Sequence, residues 1–168
     1  MTTVRRQPTP GVRSGPHVLD VVGLGVRLGL AGVLGYAGWT KVVDLTGSVQ
    51  NVLAYELFSY EVARAVGVLL PVLELALAAL LLLGLLTRGA AAATAVLMTV
   101  FVVGIASAWA RGLSIDCGCF GTGGRVAPEE TRYLAEMLRD VGFVAMAAWL
   151  VVRPRTPFSL DHHLLGRT

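Results

Sequence analysis

Charge is scarce in this 168-residue sequence: 15% of its residues are Asp, Glu, Lys or Arg, against about 25% in soluble domains. Cysteine is scarcer still, with only Cys117 and Cys119. The three histidines, His17, His162 and His163, lie far from that pair in sequence, so a closed four-ligand zinc site is excluded. Lysine occurs once, at Lys41; the other 13 of the 14 basic residues are arginine, a bias that suggests a GC-rich bacterial genome. No ten-residue alternating segments appear, which argues against a membrane β-barrel. Glycine is plentiful, but no strand leads into a glycine-rich turn, so a dinucleotide fold has no support. No nucleic-acid partner is expected.

What the chain has is apolar length. It is 55% hydrophobic, and the apolar residues come in long blocks instead of a 3.6 or 2 period. Blocks of about 18 or more apolar residues read as membrane spans, and a helix needs about 20 residues to cross hydrocarbon. Four blocks qualify: about Val18 to Val43, Val62 to Leu86, Gly89 to Ala110 and Tyr133 to Val152. The first contains Arg27, and the fourth is polar in its first half. The expected fold class is therefore all-α: a polytopic four-transmembrane-helix bundle spanning residues 18–153, with flexible cytoplasmic tails at 1–17 and 154–168. The first block is too long for a signal-peptide core and lacks a small-x-small cleavage site. Arg5 and Arg6 read as a basic anchor flank rather than a twin-arginine signal.

Four spans place both termini on one side. That side holds Arg5, Arg6, Arg13, Arg27, Arg88, Arg153, Arg155 and Arg167, opposed by Asp20 and Asp161. The other side holds Lys41, Arg64, Arg111, Arg125, Arg132 and Arg139, with most of the acids. Eight basic residues against six put the termini in the cytoplasm of a multi-pass plasma-membrane protein. The stretch "IDCGCFG" then lies outside, where disulfides form and persist.

Two cysteines one glycine apart make a poor structural staple, because stabilisation grows with loop length. Residues i and i+2 meet only if the chain turns sharply, and Gly118 can take the positive φ this requires. A strained, exposed disulfide is oxidising and labile, which points to thiol–disulfide exchange. Two alternatives stay open. Two thiolates plus Asp116 can hold a soft metal such as Cu(I), or the pair is inert. Phe120 crowds Cys119, which favours Cys117 as the attacking thiol. Asp116 argues the other way, since a neighbouring negative charge raises a thiol pKa.

Several residues are out of place in a membrane. Glu74 sits inside the second block, and an ionisable residue there is costly. It either pairs with a strut such as Lys41, which ends the first block, or relays protons beside the thiols. Pro71 frees the carbonyl of Gly67, which some polar group must satisfy. Glu136, Arg139 and Asp140 fall on one helical face, and Arg132 and Glu136 form an i, i+4 pair. That face either makes a polar, outward-opening chamber under the cysteine loop or is an ordinary solvated helix end. In the first block Gly25 and Gly29 form a G-x-x-x-G pair, and Gly29, Gly32, Gly35 and Gly38 recur every third residue, a pattern for close helix approach. Between the first two spans, "GSVQNVLAYELFSY" predicts a short interfacial helix capped near Ser48. Val49, Val52, Leu53 and Leu57 form its apolar stripe, while Tyr55, Phe58 and Tyr60 suit the interface.

"GWTKVVD", "LAYELF", "LLPVLELALAALLLLG" and "DCGCFG", in that order, resemble the methylamine utilisation MauE family, grouped with DoxX-like four-span proteins. The resemblance covers about Arg27 to Val152. It implies a four-helix membrane bundle tied to envelope redox chemistry and to maturation of methylamine dehydrogenase, a disulfide-rich enzyme. It matches Cys117 and Cys119 to the family's cysteine pair, and Lys41, Pro71 and Glu74 to its polar and proline positions. Leu45-Thr46 departs from the proline expected after Asp44. Family members also occur away from methylamine genes, so the substrate does not carry over.

The leading expectation is a thiol–disulfide redox protein. Cys117 and Cys119 exchange with an envelope thioredoxin-like protein or a secreted disulfide-containing client, supported by Lys41, Pro71, Glu74, Asp116, Gly118, Phe120, Glu136, Arg139 and Asp140. No cofactor is certain. A quinone is a possible electron sink, although no quinone motif and no second cysteine pair is present. The competing classes are a soft-metal-binding or transport protein and a non-catalytic scaffold for a redox complex.

Overall fold

In hydrocarbon every backbone N–H and C=O must be satisfied within the chain, so long apolar blocks fold as helices. The computed structural model describes residues 18–120 and 123–154. The tail at 1–17 and nearly all of the tail at 154–168, with all three histidines, lie outside the described residues. Four long helices follow the apolar blocks: α1 (Val18–Val43), α3 (Tyr60–Leu83), α4 (Thr87–Ala110) and α5 (Tyr133–Val152), with a short α2 (Leu45–Ala54) after the first. The second block begins two residues and ends three residues earlier than read from sequence, and the third begins two residues earlier but ends at Ala110 as read. Gly84, at φ +65°, closes α3 by returning its N–H to the carbonyls of Leu80 and Leu81. Leu86, at φ +48°, then starts α4 at once.

The contacts α1–α3, α3–α4, α4–α5 and α5–α1 close the long helices into a ring. Leu30, Leu34, Leu77, Leu81, Met98 and Leu150 fill its centre. Leu69, Val72, Val96, Val100 and Val103 are exposed outside, while Lys41, Glu74, Thr94 and Asp140 are buried inside. Apolar outside and polar inside is the arrangement a bilayer stabilises. Three helices, α1, α3 and α4, are long and apolar enough to cross a membrane. α5 has the length, but Glu136, Arg139 and Asp140 crowd its first eight residues.

The helix α2 differs from its sequence reading. Asp44, not Ser48, caps it: the carboxylate accepts the Gly47 N–H at 2.8 Å. Its inward face is Ser48, Asn51 and Ala54, while Val49, Val52 and Leu53 are half-buried and Leu57 lies beyond it, exposed. The reason is Pro71. The Ser48 hydroxyl donates to the Gly67 carbonyl at 2.8 Å, the group that the proline ring leaves without a helical partner. α2 approaches closely enough there that a Cβ on Gly67 would lie 2.7 Å from Val49 Cα. The glycine pattern of α1 is used unevenly. A Cβ on Gly38 would meet Leu75 at 2.8 Å, whereas Gly25 and Gly32 face open space.

Gly67→Ala is therefore expected to destabilise the fold by about 1–3 kcal/mol, because backbone cannot yield as a side chain does. Gly32→Ala should leave it unchanged. Thermal unfolding of both variants in detergent checks this, and equal midpoints would show that α2 is not seated on α3.

Candidate functional site

The cysteines lie in the loop of a small hairpin. Strands β1 (Ile115–Asp116) and β2 (Gly124–Arg125) pair antiparallel, Ile115 opposite Arg125 and Asp116 opposite Gly124. This two-residue ladder was not anticipated from the sequence. Tyr133, the first residue of α5, anchors it: its hydroxyl accepts the Ile115 N–H at 2.9 Å and donates to the Leu113 carbonyl. Gly118 turns the loop at φ +67°, as the sequence required of it, and a Cβ there would strike Asn51 at 2.8 Å.

The loop folds inward. Both cysteines are free thiols and each is only 7% exposed, so the exposed pair expected from sequence is corrected to a buried one. Their carbonyls hold the loop down. Lys41 Nζ donates to Cys119 O at 2.7 Å, and the Tyr55 hydroxyl donates to Cys117 O at 3.0 Å. Lys41 also closes the pair anticipated with Glu74, at 2.9 and 3.0 Å to the two carboxylate oxygens. Tyr55, assigned to the membrane interface from sequence, instead turns inward. Burial, then the neighbouring thiols, push its phenol well above the ordinary value, so it stays a donor.

The two sulfurs have different neighbours. Cys117 Sγ accepts the Cys119 N–H at 3.4 Å and Arg139 Nη2 at 3.4 Å. Hydrogen bonds, first from the Cys119 thiol and then from these donors, outweigh burial and hold the Cys117 thiol below its ordinary value. Cys119 Sγ points at Asp140 Oδ2, 3.8 Å away. The hydrogen bond to Cys117 and burial together raise the Cys119 thiol far above its ordinary value. The two thiols are thus shifted in opposite directions, Cys117 toward the thiolate and Cys119 toward the protonated form.

The polar face of α5 supplies this asymmetry. Arg139 Nε binds Asp140 Oδ1 at 3.0 Å, and its guanidinium lies 4.7 Å from the centre of the Phe120 ring. Phe120 rests on Tyr36 across a 5.7 Å centroid distance, which fixes the ring that carries Arg139. Glu136 turns to the loop, where its carboxylate, Asp116 and Cys117 Sγ lie within 4.8 Å of one another. The expected Arg132–Glu136 pair is absent: the ion pairs among the described residues are Lys41–Glu74, Arg125–Glu56 and Arg139–Asp140. The metal set suggested from sequence, both thiolates with Asp116, also changes, because Cys119 faces Asp140 instead.

Sequence reasoning missed Asn51, Tyr133 and Arg111, which donates to the Tyr55 carbonyl at 2.6 Å. Ser48, Asn51 and Tyr55 recur at i, i+3 and i+7, a polar helical stripe that was legible but lost to the apolar one beside it.

The matching family model, that of the methylamine utilisation protein MauE, covers residues 19–153. The chain belongs to the MauE family. The match runs from α1 to the end of α5, so every residue of this site lies within it. No curated protein and no solved structure matches the chain. Family membership and the apolar surfaces of α1, α3 and α4 together make this MauE-family chain a membrane protein.

Proposed function

We propose that this MauE-family protein is a thiol–disulfide redox protein of the cell envelope. Cys117 exchanges disulfides with a thioredoxin-like protein or a secreted client, and Cys119 resolves the mixed disulfide. The observation that carries this reading is the asymmetry of the pair: an arginine and a backbone N–H on Cys117 Sγ, a carboxylate facing Cys119 Sγ. Exchange needs one attacking thiolate and one resolving thiol, and an inert pair has no use for such a difference. The family's description as methylamine utilisation proteins is consistent with maturation of a methylamine-oxidising enzyme. In this reading α5 is the fourth span, with Glu136, Arg139 and Asp140 turned to the bundle interior. α2 lies along the outer surface, both termini are cytoplasmic, and the cysteine loop is extracytoplasmic.

A metal reading has one observation in its favour, the cluster of Asp116, Cys117 and Glu136. Against it, the Arg139 guanidinium already sits on Cys117 Sγ and opposes a cation there. Alkylation of the thiols in living cells, with and without oxidative stress, separates the two. The exchange reading expects the pair to shift between reduced and disulfide forms. A pair that stays reduced under both conditions, and reacts only after a chelator is added, establishes the metal reading instead.

A further inference from the structure

The resolving step poses a problem that the exchange reading leaves open. Cys119 must become a thiolate to attack, yet it is buried and its thiol is held far above the ordinary range. Some group must take its proton. Bulk water is not at hand, and the other nearby carboxylates are either engaged or placed at the other sulfur. Both Glu74 oxygens bind Lys41, and Asp116 and Glu136 gather near Cys117. Asp140 is different. One of its oxygens is fixed by Arg139, and the other faces Cys119 Sγ at 3.8 Å.

We propose that Asp140 is the acid–base residue of the cysteine pair, accepting the Cys119 proton during resolution and returning it in the reverse reaction. This rests on the exchange reading. The Cys117 thiolate attacks a partner disulfide, forming a Cys117–partner bond and releasing one partner thiolate. Cys119 then passes its proton to the Asp140 carboxylate and attacks Cys117 Sγ. The second partner sulfur leaves and takes the proton from Asp140. Two electrons move from the two cysteines to the partner disulfide, and the protein is left with a Cys117–Cys119 disulfide.

A second feature fits this role. A cavity of about 10 Å³ borders Cys119, Asp140 and Glu74, the polar lining groups among the described residues, with Phe101, Phe143 and other apolar walls. That is about the room one water needs. Burial of Asp140, only 1% exposed, keeps competing solvent from the transfer.

The test uses the full reduced chain in detergent with dithiobis(nitrobenzoate), an aromatic disulfide that releases a coloured thiolate. In the wild type, two equivalents should appear in two phases. The first depends on reagent concentration as Cys117 attacks. The second is internal and independent of reagent as Cys119 resolves. General acid–base assistance contributes typically about 10²–10⁴-fold, so Asp140→Asn should slow the second phase by about 100-fold or more. Asp140→Glu keeps the charge against Arg139 but displaces the carboxylate, and should slow it about tenfold. An unchanged second phase in whichever variant folds overturns the role of Asp140. A wild type that never shows a reagent-independent second phase overturns the exchange reading itself.

Discussion

Cys119→Ser is expected to accumulate a covalent adduct with an envelope protein, and Cys117→Ser to show none. The attacking thiol must be the one that exists as thiolate, and Cys117 has the Arg139 guanidinium and the Cys119 N–H on its sulfur. Without Cys119 the mixed disulfide on Cys117 has no internal thiol to release it. Without Cys117, the remaining thiol is buried and aimed at a carboxylate, so it does not attack. The sign follows for pH as well. The folded Cys117 thiol lies below its ordinary value, with the Cys119 thiol as the first cause, so in the wild type the reagent-dependent first phase should persist at pH values where a free cysteine is protonated, and Cys119→Ser should move that dependence upward. Arg139→Gln removes a donor and should move that dependence upward in pH. The adduct is read on a non-reducing gel and must vanish with reductant. The reverse pattern, trapping by Cys117→Ser alone, would falsify the assignment of roles. Trapping by neither, with function intact in both, removes the exchange reading.

The bundle was legible because hydrocarbon leaves the chain few options. The first and last blocks, read as Val18 to Val43 and Tyr133 to Val152, coincide with α1 and α5. The Lys41–Glu74 pair was legible for a similar reason. A carboxylate buried in a span needs a cation, and the chain's single lysine ends the preceding apolar block. The burial of the cysteines was not legible. A short glycine-rich stretch between apolar blocks reads as an exposed loop. Its inward fold depends on contacts such as Lys41 to the Cys119 carbonyl, 78 residues apart, and the Tyr55 hydroxyl to the Cys117 carbonyl, 62 apart. Nothing local at positions 115–121 announces those partners. The hairpin was hidden for the same reason: two pairs of residues carry no period, and the anchor at Tyr133 belongs to the next helix. Asn51 shows the limit most directly. Its significance lies in the glycines packed on it, Gly118 and Gly123, and only the fold brings those together.

Lys41 links the ion pair to the cysteines, and its loss should be the costliest change in the bundle. Lys41→Met leaves the Glu74 carboxylate buried without a cation and releases the Cys119 carbonyl. Removing one partner of a buried pair typically costs about 3–5 kcal/mol. Glu74→Leu should cost less, because the lysine ammonium keeps the carbonyls of Cys119 and Ala37, at 2.7 and 3.4 Å. The double variant Lys41→Met with Glu74→Leu removes both charges and leaves a greasy contact in their place. It should be more stable than Lys41→Met alone, with a coupling energy of about 0.5–3 kcal/mol between the sites. Stability and chemistry then separate. The double variant regains its fold but not the anchor on the Cys119 carbonyl, so its internal resolving step should stay slower than wild type. Unfolding midpoints of the three variants in detergent, beside the rate of the reagent-independent phase, measure both effects. If the two single substitutions are additive and both retain the wild-type resolving rate, the pair is a surface-like contact with no hold on the cysteine loop. If the double variant recovers stability and rate together, Lys41 acts through the ion pair alone.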